Sequence, residues 1–190
     1  LTTNKKTIGQ MSCNPAVGGL GKGHLVREID ALDGIMAKAI DASGIHFKML
    51  NQSKGPAVQG PRAQADRLIY ARSINNIISS FRNIKVIEGT VCKLKFKNNS
   101  IKSVVCLDGN QIDCKAVILT TGTFLGGLIH IGSKKVMAGR LNEPAVNGLT
   151  ENLRELGLKT SRLKTGTPPR ILKRTIKWEE LNKQPGDKIP

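Results

Sequence analysis

Ala116-Val117-Ile118-Leu119-Thr120-Thr121-Gly122-Thr123 is a continuous apolar run that stops at a Thr-Gly pair. A run this short, with no polar residue alternating through it, predicts a strand buried on both faces. Its Thr-Gly end predicts the carboxyl edge of a parallel sheet, where α/β folds bind ligands. Just upstream the period is two. Over residues 91–97, Val91, Lys93, Lys95 and Lys97 alternate with Cys92, Leu94 and Phe96. Asn98-Asn99-Ser100 reads as a turn, residues 101–107 as a second strand, and Asp108-Gly109 as a hairpin. Residues 111–114 then pair back, and residues 84–88 read as a further short strand.

Working outward, residues 62–81 predict a helix with Tyr70, Ile74, Ile77, Ile78 and Phe81 along one stripe. Residues 44–61 read as irregular. Leu25, Ile29, Leu32 and Met36 recur on one face of an earlier helix, which Gly34 ends or bends. Residues 126–149 read as loop. A short helix follows over residues 150–156, with Thr150 as N-cap and Gly157 as stop. The succession of helix, antiparallel meander and buried strand closed by Thr-Gly is the order used by flavoprotein nucleotide-binding domains. The expected class is therefore α/β, with a parallel sheet and an antiparallel β-meander.

The chain of 190 residues carries 30 Lys+Arg against 14 Asp+Glu, a formal charge of +16. Such an excess attracts polyanions, RNA and cofactor phosphates among them. A coding bias towards lysine, asparagine and isoleucine gives the same excess. Aromatic residues are only 3%, which argues against a base-stacking platform. No run approaches the ~18 apolar residues of a membrane span. Residues 1–10 hold no apolar signal-peptide core. The four cysteines, Cys13, Cys92, Cys106 and Cys114, make no C-x-x-C pair, so neither a zinc site nor a thioredoxin-like motif is expected.

Cys13 is the candidate catalytic residue. It precedes a glycine-rich loop and a helix start, and a helix N-terminus and the Lys22 cation both favour a thiolate. A thiolate can attack an electrophilic carbon such as C6 of a uracil ring and so activate C5; the alternative is a buried structural cysteine. The loop Gly18-Gly19-Leu20-Gly21-Lys22-Gly23 fits either a phosphate cradle or a tight turn that lets backbone approach a flat ligand. It is not a P-loop, because Gly23 rather than Ser or Thr follows Lys22. Nor does the chain contain the G-x-G-x-x-G fingerprint of dinucleotide binding. Lys54, Arg62, Asp66 and Arg67 cluster around a helix start, as a phosphate site or as a surface ion-pair network.

The run Cys13-Asn14-Pro15-Ala16-Val17-Gly18-Gly19-Leu20-Gly21-Lys22-Gly23-His24-Leu25-Val26 resembles the signature of the MnmG (GidA) family. The likeness continues through Glu28-Ile29-Asp30-Ala31-Leu32, Ser53-Lys54-Gly55-Pro56-Ala57-Val58, Arg62-Ala63-Gln64-Ala65-Asp66-Arg67 and Leu119-Thr120-Thr121-Gly122-Thr123-Phe124-Leu125. It ends in Arg162-Leu163-Lys164-Thr165-Gly166-Thr167-Pro168-Pro169-Arg170.

The resemblance implies a glutathione-reductase-like FAD-binding domain, here truncated at both ends. It implies FAD, NADH and methylene-tetrahydrofolate as cofactors, and tRNA, the GTPase MnmE and a second copy of the chain as partners. The implied activity is cytoplasmic addition of a carboxymethylaminomethyl group to C5 of wobble uridine. The same likeness makes Cys13 one of two cysteines used covalently. It makes Val91 and Val146 FAD contacts, and sets Gly18, Gly19, Gly21 and Lys22 with Thr121, Gly122 and Thr123 around the isoalloxazine and pyrophosphate. Residues 1–168 would be the FAD-binding domain without its first strand and G-x-G-x-x-G loop, with a helical insertion near 61–92. Residues 169–190 would begin an NADH-binding insertion. A TrmFO-like folate-dependent tRNA uridine methyltransferase and a basic tRNA-binding or inactive fragment are the alternatives. The chain of 190 residues by itself is expected to lack activity and to hold FAD poorly; a purified sample that is yellow and oxidises NADH would overturn this.

Overall fold

The computed structural model describes every residue except 12, 167 and 190. These residues form two compact units, one of residues 7–85 with 165–190 and one of residues 1–6 with 86–164. The first unit holds β1 (Ala16–Gly18), α1 (Lys22–Ala31), α2 (Ile35–Ser43), β2 (Gly44–Leu50), β3 (Gly60–Ala65) and α3 (Arg67–Ser80). Its three strands form an antiparallel sheet in the order β1-β3-β2. The glycine break falls between α1 and α2, where Asp33 takes φ 65° and the Gly34 N–H returns to the Ile29 carbonyl at 2.7 Å.

The core of this unit is Val17, Ala39, Ile40, Ala63, Ala65, Tyr70 and Ile74, with Val26, Ile35, Met36, Ile77 and Ile78 packed around it. Burial pushes the Tyr70 phenol above its ordinary range. Three sequence expectations change, the first being the helix over residues 62–81, which starts only at Arg67 because residues 62–65 pair within β3. The stripe Leu25, Ile29, Leu32 does not face the core: Leu25 is 62% and Leu32 84% exposed, and Val26 supplies the α1 contact instead. Residues 44–61 are not irregular, for they contain β2 and the start of β3. β2 escapes a period-two reading because nearly all its residues are half-buried on both faces. One edge of β2 pairs with β3, and residues 184–187 bond to the strand along its length. The Asp187 N–H donates to the Phe47 carbonyl at 2.9 Å, its carboxylate accepts from the Met49 N–H at 2.6 Å, and Lys48 Nζ donates to the Pro185 carbonyl at 2.8 Å.

The second unit holds β4 (Val91–Lys97), β5 (Ser100–Cys106), β6 (Gln111–Asp113), β7 (Leu128–Ile131), β8 (Lys134–Met137) and α4 (Leu149–Glu155). β4, β5 and β6 form one antiparallel sheet in chain order, and β7 pairs with β8. Asn98 and Asn99 turn the first hairpin with φ 51° and 59°, and Gly109 turns the second with φ 85°. Leu94, Val104, Leu149 and Leu153 are the core, with Val91, Ile101, Ile112, Cys114, Val117 and Leu125 around it.

Residues 116–119 correct the opening expectation. They form no strand among the described residues, and Ile118 is 88% exposed. A two-faced strand needs a ladder neighbour and a layer on each side, and no described strand lies beside this run. The named strands pair only antiparallel; the parallel contacts are single bridges, Thr2 with Glu88 and Leu125 with Val146. Residues 84–88 contribute only that bridge, and the loop expected over 126–149 contains the β7–β8 hairpin. Helix α4 is capped by Gly148 at φ 90° rather than by Thr150.

Asn152 fastens α4 to the sheet. It is buried, and its Oδ1 accepts from the Leu94 N–H on edge strand β4 at 2.7 Å. Asn152→Ala leaves that amide without its partner and is expected to destabilise this unit by about 1–3 kcal/mol. Leu149→Ala, at a site 2% exposed, should cost about 2–5 kcal/mol. Urea unfolding of both variants checks the two values.

Candidate functional site

The loop over residues 13–23 is built on β3. The Ala65 N–H donates to the Pro15 carbonyl at 2.7 Å, Ala16 pairs with Gln64, and the Gly19 N–H donates to the Pro61 carbonyl at 2.8 Å. Gly18 at φ 105° lies so close that a Cβ there would overlap the Pro61 carbonyl oxygen. A Cβ on Gly23 would stand 3.0 Å from the same oxygen. Only bare backbone allows this approach. Gly21 takes φ 72° as the N-cap of α1, and the Gly23 N–H closes onto the Gly19 carbonyl at 2.7 Å.

These bonds decide what the glycines do locally. The amides of Gly19, Lys22 and Gly23 are spent on the Pro61, Leu20 and Gly19 carbonyls. Lys22 Nζ donates to the Ala16 carbonyl at 3.2 Å. The glycines thus serve close packing of loop on strand, and the Lys22 cation helps hold the loop's own backbone. Cys13 stands exposed ahead of these contacts, so the buried structural alternative does not apply to it.

In the cluster at the start of α3, Asp66 and Arg67 bond to backbone rather than to each other. Asp66 is the N-cap of α3, its Oδ1 accepting from the Leu68 and Ile69 N–H groups at 2.9 Å each. Arg67 Nη2 donates to the Cys13 carbonyl at 2.8 Å. The salt bridges among the described residues are Lys38–Asp33, Arg140–Glu143 and Lys177–Glu180, none of them in this cluster. Asp66 as cap was missed, because the helix expected over residues 62–81 put it inside rather than at the start; the Arg67–Cys13 contact, across 54 residues, was missed as well.

The remaining candidates lie in the other unit. Val91 heads β4 opposite Cys106, and Val146 is buried beside Leu125. Gly122 takes φ 56° with open space where a Cβ would stand. The Thr121 carbonyl accepts the Phe124 N–H at 3.2 Å, and the Thr123 hydroxyl donates to the Gly139 carbonyl at 2.8 Å. Cys13, Gly18, Gly19, Gly21 and Lys22 therefore share one unit, and Val91, Thr121, Gly122, Thr123 and Val146 the other. Among the described residues no cluster of His, Cys, Asp and Glu could hold a metal ion, and no helix is long and apolar enough to cross a membrane.

A mixed α/β chain with an exposed thiol ahead of a glycine loop packed on a strand is the class that these elements define. The family model described as glucose inhibited division protein A matches residues 1–190. The chain belongs to that family, GidA. Curated relatives named tRNA uridine 5-carboxymethylaminomethyl modification enzyme MnmG include one from Granulibacter bethesdensis, 52% identical over all of this chain, and one from Chlamydia felis, 51% identical over 98% of it. The chain spans 31% of the length of each. A crystal structure of Aquifex aeolicus GidA superposes with TM-score 0.90 at 49% identity, over all of this chain and 31% of that one.

The cysteines differ in accessibility. Cys106 is 4% exposed, and burial first, then the charges of Asp108 and Cys92, push its thiol up. Iodoacetamide at pH 8 is expected to alkylate Cys13 at least about tenfold faster than Cys106, which should react only on unfolding. Peptide mass mapping over time checks the order.

Proposed function

We propose that this chain is part of an FAD-dependent enzyme that installs a carboxymethylaminomethyl group on C5 of the wobble uridine of tRNA. The observation that carries this reading is the match of the GidA family along residues 1–190, joined to an exposed Cys13 on a loop fixed to β3. The relatives named for the same modification support the substrate, and the charge of +16 suits a polyanionic one. NADH, methylene-tetrahydrofolate, the GTPase MnmE, a homodimer and a cytoplasmic setting belong to the same proposal.

The described residues suit a flat cofactor. Gly122 presents bare backbone at positive φ with nothing where a Cβ would stand, at the end of an apolar run that has no ladder partner. On this reading the chain belongs to a glutathione-reductase-like fold built on a parallel sheet. Residues 1–168 belong to the FAD-binding domain, with α3 as its helical insertion, and residues 169–190 begin the NADH-binding insertion. Gly18, Gly19, Gly21, Lys22, Val91, Thr121, Gly122, Thr123 and Val146 are the residues proposed for FAD. Bound there, FAD supplies the redox chemistry of the modification.

Cys13 acts on the tRNA base. Its thiolate sulfur adds to C6 of uracil, the C5–C6 π electrons move onto C5 and O4, and C5 becomes the nucleophile. C5 adds to the methylene carbon of an iminium derived from the one-carbon donor, whose C=N π pair moves onto nitrogen; C5 then loses its proton and sulfur leaves C6, which restores the double bond and the thiolate. Cys13→Ser in the full-length protein is expected to lower modification of wobble uridine by at least about 10³-fold, with FAD absorbance retained. Nucleoside analysis of the tRNA reads the outcome, and a serine variant with wild-type turnover would refute the role.

A further inference from the structure

We infer that Arg67 is the positioning residue for Cys13, holding the thiol-bearing residue in place through its main-chain carbonyl. The inference rests on the proposed role of Cys13. Cys13 lies outside every helix and strand, and the ladder that fixes the loop begins only at Pro15 and Ala16. Among the described residues, the hydrogen bond that reaches the Cys13 main chain comes from Arg67 Nη2 at 2.8 Å.

The donor has a rigid base. Arg67 opens α3 directly after its N-cap Asp66, whose own N–H donates to the Ser43 carbonyl at 2.9 Å. One turn on, Tyr70 is 6% exposed and anchors the helix in the core. A cation there is otherwise misplaced. The first turn of a helix favours negative charge and disfavours a positive one. No described salt bridge offsets it. What the guanidinium gains is a charge-assisted bond to one carbonyl, that of the residue whose side chain must meet the base. Effective molarity falls steeply with small displacements of a nucleophile, so a tether at this point acts on turnover rather than on tRNA affinity.

The test uses the full-length protein with bound FAD. Arg67→Ala is expected to lower kcat for tRNA modification by about 10–100-fold, with KM for tRNA within about twofold. Arg67→Lys, which keeps the charge and one donor, should recover about a third or more of the loss on a logarithmic scale. A merely structural role would lower the melting temperature and leave kcat per folded, FAD-loaded enzyme unchanged. If Arg67→Ala does not fold, Arg67→Gln carries the same comparison. Full kcat in Arg67→Ala or Arg67→Gln beside an inactive Cys13→Ser overturns the positioning role and leaves the Cys13 reading standing. An active Cys13→Ser removes the Cys13 reading itself, whatever Arg67 does.

Discussion

The Pro61 carbonyl is the point on which the loop geometry depends. Proline has no N–H, so its main chain offers β3 only an acceptor. That oxygen takes the Gly19 N–H at 2.8 Å, and a Cβ on Gly18 or Gly23 would press against it. Because the backbone of the loop can lie directly on β3, β1 can pair with it and α1 can start at Lys22. Two glycines and one proline thereby set the direction in which the chain enters α1. The Cys13 carbonyl, ahead of this loop, lies within reach of Arg67 at the start of α3.

Much of the second unit was legible because its signals are local. The period-two pattern over residues 91–97, the Asn98-Asn99 turn and Asp108-Gly109 each act within a few residues, and all are present. α3 was legible through Tyr70 and Ile74, and its start was misplaced because Arg62-Ala63-Gln64-Ala65 has helix-favouring composition but is claimed by pairing with β1 and β2. The run at residues 116–119 shows the same limit from the other side. Its composition asks for a buried strand, and whether one forms depends on neighbours that composition does not name.

The candidate site divides along similar lines. Cys13 and the glycine loop stood out because of rare residue types at close spacing. The glycines' work did not, since whether a bare amide meets a ligand or a neighbouring carbonyl is decided by β3, more than forty residues away in sequence at Pro61. Arg67 was legible only as a charge. Its bond to a backbone oxygen leaves no complementary residue in the sequence to pair it with, unlike an ion pair, which announces both partners.

The segment over residues 184–187 has a consequence for solubility. It lies against β2 through Asp187 and Pro185 without forming a strand of its own. An uncovered strand edge is a template for other chains to add to, and β2 carries Ile45, Phe47, Met49 and Leu50. Four residues near the end of this sequence therefore act as a guard against aggregation, and their loss would be felt first as precipitation rather than as a change in chemistry.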